Sequence, residues 1–203
     1  MRRLPAAIAC TAAAFTAAPA HANVHQSSDQ GFVIRLTAEV PASVTETWQE
    51  LLRPADWWSG EHTYSGDASN MSIEQHAGGC FCEALPDPEG GPLAPPRGSV
   101  EHMRVINIEQ NRVLRMSGAL GPLQSEAANG TLTIVLKPGD AGTRILWEYV
   151  VGGYMRQKPA EIGPLVDKVL GEQVSRLAVA LGGRPSAAAS EIDPSTVEPG
   201  PGR

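Results

Sequence analysis

The stretch IGPLVDKVLGEQVSRLAVAL, residues 162–181, decides how this chain folds. Its apolar residues recur every three or four positions, which places them along one side of a helix. Gly182 and Gly183 follow directly and favour a helix end there. The stretch predicts one long C-terminal helix whose apolar stripe consists of Ile162, Leu165, Val166, Val169, Leu170, Val174, Leu177, Ala178 and Leu181.

The residues before this helix have the patterns of strands that can bury its apolar stripe. Residues 32–40 alternate between apolar and polar side chains, which is typical of a strand with one buried face. Further strands, separated by turn residues, are predicted at 71–75, 80–85, 100–109, 113–118, 130–137 and 143–151. Because the connections are short, successive strands are expected to pair antiparallel.

Two short helices are predicted between the first strand and the others. Ser43 and Glu46 have the spacing of a capping box, which marks the start of the first helix. A second helical turn is expected at 55–58. The sequence thus predicts an α+β fold, in which a curved seven-stranded antiparallel sheet wraps around the long C-terminal helix.

The first 22 residues have the features of a secretory signal peptide. Arg2 and Arg3 precede a small apolar run, and an A-x-A cleavage site ends at Ala22. We therefore expect a mature chain that starts at Asn23 and is periplasmic or secreted. The alternative is a lipoprotein modified at Cys10, which is disfavoured because it leaves very little apolar sequence before the cysteine.

The rest of the chain divides by composition. Residues 23–30 are polar and predicted to be loose, and 31–183 form the folded domain. Residues 184–203 consist mainly of Pro, Ser, Ala, Gly and acidic residues, so they are predicted to be disordered. No stretch after the signal is long enough to cross a membrane as an apolar helix.

The charge of the chain argues against a nucleic-acid partner. The full sequence has 16 basic and 22 acidic residues, a net charge of −6. Removal of the signal takes away Arg2 and Arg3 and makes the balance more acidic. Such a surface repels a phosphate backbone.

Two cysteines, Cys80 and Cys82, remain in the mature chain. In a strand their Cα atoms would be about 6.7 Å apart on one face, near the upper limit for a disulfide. With His76 and His102 they also offer zinc-type ligands, but Cys-x-Cys is not the usual spacing of a structural zinc site. Two small residues packed on one face is the favoured interpretation, with no metal and no cofactor.

Several short motifs, in order, resemble those of one superfamily. They are Val40-Pro41-Ala42-Ser43 before Trp48, Pro54-Ala55-Asp56-Trp57-Trp58, Gly78-Gly79-Cys80-Phe81-Cys82-Glu83 and Ala141-Gly142-Thr143-Arg144-Ile145. Over about residues 31–182 the chain resembles the SRPBCC superfamily, also called START-like or Bet v 1-like. Within it, the motifs are most similar to the branch of the activator of Hsp90 ATPase. The resemblance implies a helix-grip fold with a deep cavity between sheet and helix that holds an apolar small molecule.

Aromatic and polar residues near that expected cavity are the candidate ligand contacts. Adjacent Trp57 and Trp58 point apart, so one is expected to line the cavity, although both would also fit in the core. The loop residues His62 and Tyr64 are either contacts at the cavity mouth or solvated positions. The full candidate set is Trp57, Trp58, His62, Tyr64, Phe81, His102, Met116, Trp147, Tyr149 and Tyr154.

His102 and Glu148 lie in different predicted strands and could act as an acid and base pair if both faced inward. Strand alternation argues against the pair, because Trp147 and Tyr149 define the inner face and Glu148 then faces solvent. The last candidate, Tyr154, either closes one end of the cavity or only packs.

The leading functional prediction is an exported, non-catalytic protein that binds an apolar or amphipathic small molecule. The alternative is a cyclase, hydratase or isomerase that uses His62 or His102 in the same cavity. A chaperone partner, as the name of the similar branch implies, is disfavoured because Hsp90 is intracellular. No P-loop, nucleophile elbow, dinucleotide fingerprint or zinc-protease motif occurs in the sequence.

Overall fold

A computed structural model describes residues 24–91 and 94–184 of the chain. The predicted signal peptide lies outside these residues, as does the predicted disordered tail after Arg184. Both remain predictions from the sequence.

The described chain is an α+β structure with one antiparallel sheet and three α-helices. The elements are β1 (Val24–Ser28), β2 (Gly31–Val40), α1 (Val44–Leu51), α2 (Pro54–Trp57), β3 (Met71–Ile73), β4 (Cys80–Leu85), β5 (Gly98–Glu109), β6 (Val113–Gly118), β7 (Ala127–Gly139), β8 (Gly142–Tyr154) and α3 (Pro159–Ala180). Short 3₁₀ turns cover Gly60–His62, Ala68–Asn70 and Gly121–Ser125.

The strands form a curved open sheet in the order β1-β2-β8-β7-β6-β5-β4-β3. Every neighbouring pair is antiparallel, as the short connections predicted. The only neighbours that are not consecutive in the chain are β2 and β8, which bring the first and last parts of the sheet together. The predicted fold class is confirmed, but the sheet has eight strands instead of seven.

The additional strand is β1, which lies where the sequence predicted a loose segment at 23–30. Val24 pairs opposite Ile34, and Ser28 pairs opposite Gly31. The polar residues of β1 are exposed because it is an edge strand. The apolar and polar alternation that reveals a half-buried strand is therefore missing from its sequence.

The capping box at the start of α1 is confirmed. The Glu46 backbone N–H donates to Ser43 Oγ at 3.3 Å, and the Ser43 N–H donates to a Glu46 carboxylate oxygen at 2.9 Å. These bonds satisfy N–H groups at the helix start that have no partner within the helix. The helix then buries Trp48 and Leu51 in the core.

The three helices cover the inner face of the sheet together. Helix α3 packs against β1 and β2, and α1 packs against β7 and β8. Most of the predicted stripe on α3 is buried, but Leu165 is 59% exposed and Val169 is only partly buried. Leu165 and Val169 lie four residues apart, so they form an exposed edge of the stripe next to the buried Ile162, Val166 and Leu170. No helix among residues 24–91 and 94–184 is long and apolar enough to span a bilayer.

The predicted alternation of β8 is confirmed. Ile145, Trp147, Tyr149 and Val151 are all buried on the inner face. Glu148 points to the outer face and forms an ion pair with Arg35 of β2.

Candidate ligand-binding site

A half-open cavity lies at one end of the molecule, between the first turns of α3 and two loops. Its volume is about 330 Å³, at the lower end of the roughly 300–1,000 Å³ that is typical of ligand pockets. It is lined by Trp58, His62, Thr63, Tyr64, His102, Leu120, Gly121, Pro122, Ile162, Leu165, Val166, Val169 and Leu170. The wall formed by α3 is entirely apolar, while the polar side chains come from residues 62–64 and from β5.

The loop that supplies most of the polar wall is fixed at both ends. After α2, the Ser59 N–H donates to Gln173 Oε1 of α3 at 2.8 Å. The indole N–H of Trp58 donates to the carbonyl of His62 at 3.2 Å, which closes the 3₁₀ turn of the loop over the indole. Trp58 therefore both lines the cavity and holds the loop that carries its polar groups.

A buried pair, Glu83 and His102, forms the inner polar end of the cavity. His102 is 4% exposed and Glu83 is fully buried. Nε2 of His102 lies 3.0 Å from a Glu83 carboxylate oxygen. The same carboxylate accepts hydrogen bonds from the backbone N–H groups of Tyr64 and Ser65. Glu83 thus connects β4, β5 and the loop at the cavity mouth.

Strand irregularity explains why His102 faces inward. Phe81 pairs opposite Met103 and Cys82 pairs opposite Glu101, so His102 is an extra residue in β5, a β-bulge. Regular alternation would put His102 and Met103 on opposite faces, yet both are buried. The bulge turns the imidazole towards the cavity.

The charge states of the pair follow from their surroundings. Burial lowers the pKa of His102, and the hydrogen bond with the Glu83 carboxylate only partly opposes this. Burial alone would raise the pKa of Glu83, but the hydrogen bonds from Ser65, Tyr64 and His102 outweigh it and lower that pKa. A neutral imidazole therefore faces an ionised carboxylate near pH 7. In that state Nε2 carries the proton and donates it, and Nδ1 is an acceptor.

A second histidine and carboxylate pair lies at the outer rim. Nε2 of His62 is 3.1 Å from a Glu172 carboxylate oxygen on α3. Burial would raise the pKa of Glu172, but hydrogen bonds from His62 and Ser59 lower it. The Tyr64 ring lies with its centroid 5.9 Å from that of His102.

The structure places four of the ten candidate residues on the cavity wall: Trp58, His62, Tyr64 and His102. Trp57 packs in the core instead, with its indole N–H donated to the Glu50 carbonyl at 3.0 Å. Phe81 stands behind the wall and contacts both Trp58 and His102. Tyr154 is 72% exposed and does not line the cavity.

The other three candidates fill the space between sheet and helices. Met116, Trp147 and Tyr149 are buried in the core and do not line the cavity. The superfamily resemblance implied a deep cavity there, whereas the cavity found lies at the end of the grip. Large side chains on the inner face of the sheet fill the space where that deep cavity would lie.

Tyr149 nevertheless supports the cavity from behind. Its hydroxyl donates to the Gly118 carbonyl at 3.1 Å and accepts from the Leu120 N–H at 3.2 Å. Burial raises the pKa of Tyr149 to about 12, so the hydroxyl keeps its proton. Gly130 faces the ring, and a Cβ there would come within 2.3 Å of it. The tyrosine thus holds the turn that brings Leu120 to the cavity.

Glu83 was not among the candidates from the sequence, although its carboxylate accepts three hydrogen bonds at the site. A signal for it was present, since Glu83 follows Phe81 by two residues and shares its face in a strand. An acidic residue on an apolar strand face needs a buried partner. The sequence alone does not identify His102 as that partner, because the bulge changes its orientation.

The two cysteines are joined in a disulfide, Cys80–Cys82, with a Cα separation of 5.3 Å. The sequence alone leaves the redox state of these cysteines open. In the part of the chain that the structure describes, no three side chains of His, Cys, Asp or Glu cluster as a metal site would require.

An open antiparallel sheet that wraps around a long C-terminal helix, with two short helices after the first long strand, is a helix-grip fold. A solved structure from Mesorhizobium loti is similar, with a TM-score of 0.50 and 14% identity over 74% of this chain and 96% of that one. At that identity the likeness shows the fold alone.

Two further solved structures are similar at lower scores. An AHSA1-like protein from Aeromonas hydrophila has a TM-score of 0.46 and 11% identity, covering 74% of this chain and 92% of its own. DynU16, a protein of the dynemicin biosynthetic locus, has a TM-score of 0.49 and 18% identity, covering 75% of this chain and 48% of its own. No family model matches the chain, and no curated protein matches it in sequence.

Proposed function

We propose that this chain is an exported protein that binds an apolar or amphipathic small molecule in the cavity at the end of the helix grip. The observation that carries the proposal is the asymmetry of the cavity. One wall is apolar, from Trp58, Leu120 and α3, and the opposite edge has only a few oriented polar groups. That combination is typical of small-molecule sites, where apolar contact supplies affinity and a few polar groups fix orientation.

Exposed apolar surface at the cavity mouth supports the proposal. Leu165 lies on the cavity wall and is 59% exposed. Exposed apolar side chains are unfavourable in water, and a ligand in the cavity would cover part of this surface. Export is proposed on the N-terminal sequence alone.

The test is native mass spectrometry of the protein purified from its own host, combined with organic extraction. We expect a bound species with a discrete mass, which extraction releases and which rebinds to the emptied protein. Absence of any bound species, together with no uptake of a neutral lipophilic fluorophore, would rule out the binding function.

A second candidate function is proton-transfer catalysis in the same cavity, and the Glu83–His102 pair is the observation that favours it. A carboxylate that holds one nitrogen of a neutral imidazole orients the ring and leaves the other nitrogen available as a base. The reactions that fit are those of a cyclase, hydratase or isomerase, in which a proton is removed from or added to the substrate.

Chemical change of the bound molecule separates the two functions. The extracted molecule is incubated with the protein in D₂O and then analysed for mass and retention time. A carrier returns it unchanged, whereas an acid and base catalyst incorporates deuterium at carbon or alters the molecule. In the catalytic case, His102→Gln should abolish the change while the variant stays folded.

A further inference from the structure

The polar wall of the cavity has an unusual hydrogen-bonding character. Four side chains form it, His62, Thr63, Tyr64 and His102. Each of them can both donate and accept a hydrogen bond. Their protein partners decide which of the two capacities remains for a ligand.

The hydroxyl protons of Thr63 and Tyr64 are hydrogen-bonded to acceptors within the protein. Thr63 Oγ1 donates to the Gly60 carbonyl at 2.7 Å. The Tyr64 hydroxyl lies 3.2 Å from the Gly121 carbonyl and 3.0 Å from Gln124 Oε1, two alternative acceptors for its single proton. Since a hydroxyl has one proton and two lone pairs, both groups present acceptor lone pairs to the cavity.

Each of the two imidazoles also uses one ring nitrogen as a donor to a protein group. Nε2 of His102 donates to Glu83 and Nε2 of His62 donates to Glu172. In a neutral His102 ring the remaining nitrogen, Nδ1, is an acceptor. For His102 the neutral ring is the favoured state, because burial lowers its pKa.

The backbone N–H groups of His62, Thr63 and Tyr64 also donate to acceptors within the protein. The N–H of His62 donates to the Ser59 carbonyl at 3.0 Å, and that of Thr63 to the Gly60 carbonyl at 3.2 Å. The Tyr64 N–H donates to Glu83 at 3.1 Å. The backbone N–H groups and the hydroxyl protons of residues 62–64 are therefore all donated to protein acceptors.

The charges around the polar wall also disfavour an anionic ligand group. None of the residues that line the cavity in the described chain is a lysine or an arginine. Instead, two carboxylates, Glu83 and Glu172, lie within hydrogen-bond distance of the two histidines. An anionic group placed here would meet like charge and acceptor lone pairs, with no cation among the lining residues to offset them.

Building on the proposed binding function, we infer that the cavity selects an amphipathic molecule whose polar end donates hydrogen bonds. A hydroxyl or an ammonium group fits this wall, whereas a carboxylate or a phosphate does not. The apolar part of the molecule lies against α3, and the donor group points to His102 and Tyr64. The protein is therefore a carrier of alcohols or amines and not of fatty acids.

Three probes with the same chain and different polar ends test this inference on the mature protein. Decanol, decylamine and decanoate are titrated, near neutral pH and below their micelle concentrations, against protein loaded with the neutral fluorophore N-phenylnaphthylamine. We expect decanol and decylamine to displace it at concentrations about tenfold lower than decanoate, since an unmatched buried polar group costs roughly one tenfold step or more. Equal or tighter binding of decanoate overturns the inference while leaving the binding function intact.

Two lysine substitutions provide the matched control. Thr63→Lys adds a cation and donor to the polar wall and should bring decanoate to within about threefold of decanol, since a new charged donor offsets most of the mismatch. Ser69→Lys makes the same charge change at an exposed position outside the cavity and should keep the wild-type order. If both variants keep that order, the wall does not set the selectivity. If the fluorophore itself does not bind the wild type, the binding function fails and the inference fails with it.

Discussion

Glu83 is the residue on which the geometry of the candidate site depends most. Its fully buried carboxylate accepts from His102 and from the N–H groups of Tyr64 and Ser65. An acidic residue with three donors around it is stable in the interior because each lost contact with water is replaced. Removing the carboxylate would leave all three donors without an acceptor.

Glu83→Ala should therefore lower the free energy of unfolding by about 3 kcal/mol, because buried donors lose their partner. Glu83→Gln keeps an acceptor oxygen and should lose only about 1 kcal/mol. Urea unfolding followed by circular dichroism measures both. Equal losses for the two variants would show that the hydrogen bonds to the carboxylate contribute little.

The pH dependence of stability should contain a contribution from His102. Its pKa is lowered from the ordinary 6.5 because the ring is buried, so the unfolded chain takes up a proton first as the pH falls. This contribution is complete above about pH 6.5 and is lost progressively below it. The groups in contact with the ring are the Glu83 carboxylate and the Tyr64 and Phe81 rings.

Glu83 adds a loss of the same sign at lower pH, since its pKa is lowered from 4.5. His102→Gln should remove the loss of unfolding free energy just below pH 6.5. The loss at lower pH that comes from Glu83 should remain. Unfolding free energies measured at a series of pH values test this. A wild type and a His102→Gln variant with parallel curves between pH 6.5 and pH 5 would contradict the assignment.

The elements were more predictable from the sequence than the contacts between them. The helical stripe, the capping box at Ser43 and the alternation of β8 each depend on local periodicity, and all three are confirmed. Strand β1 was missed because an exposed edge strand has no apolar alternation. The inward orientation of His102 follows from a bulge, which depends on the pairing of β4 with β5 and not on β5 alone.

Helix α3 packs in the core along one part of its length and lines the cavity along another. Leu177 and Leu165 represent these two parts. Leu177 is fully buried in the core, whereas Leu165 is largely exposed on the cavity wall. Leu177→Ala should cost about 3 kcal/mol of unfolding free energy, as large-to-small core substitutions do. Leu165→Ala should cost less than about 0.5 kcal/mol but weaken fluorophore binding roughly threefold, since apolar contact is lost.

Denaturation measures the unfolding free energy of Leu177→Ala and Leu165→Ala, and fluorophore titration measures their binding affinity. Together they distinguish a packing role from a ligand contact. If Leu165→Ala unfolds as easily as Leu177→Ala, the N-terminal part of α3 is core and the cavity wall is misplaced. Unchanged fluorophore affinity in Leu165→Ala would remove the residue from the binding site.

The sequence combines a helix-grip domain with an N-terminal segment that predicts export. If export is correct, the mature protein from the native host should begin at Asn23, because the cleavage pattern ends at Ala22. N-terminal sequencing of the secreted or periplasmic fraction measures this directly. Recovery of only the unprocessed chain from the cytoplasm would contradict export and would renew interest in a chaperone partner.

The cavity itself is the central feature of this account, and filling it is the sharpest test. Val169 lines the cavity on α3, while Val179 is 54% exposed on the same helix and outside it. We expect the neutral fluorophore to bind the mature wild type saturably at one site. Val169→Trp should weaken that binding at least about tenfold by occupying the space, while Val179→Trp should leave it unchanged. Wild-type affinity in Val169→Trp, or no saturable binding in the wild type, would contradict the account.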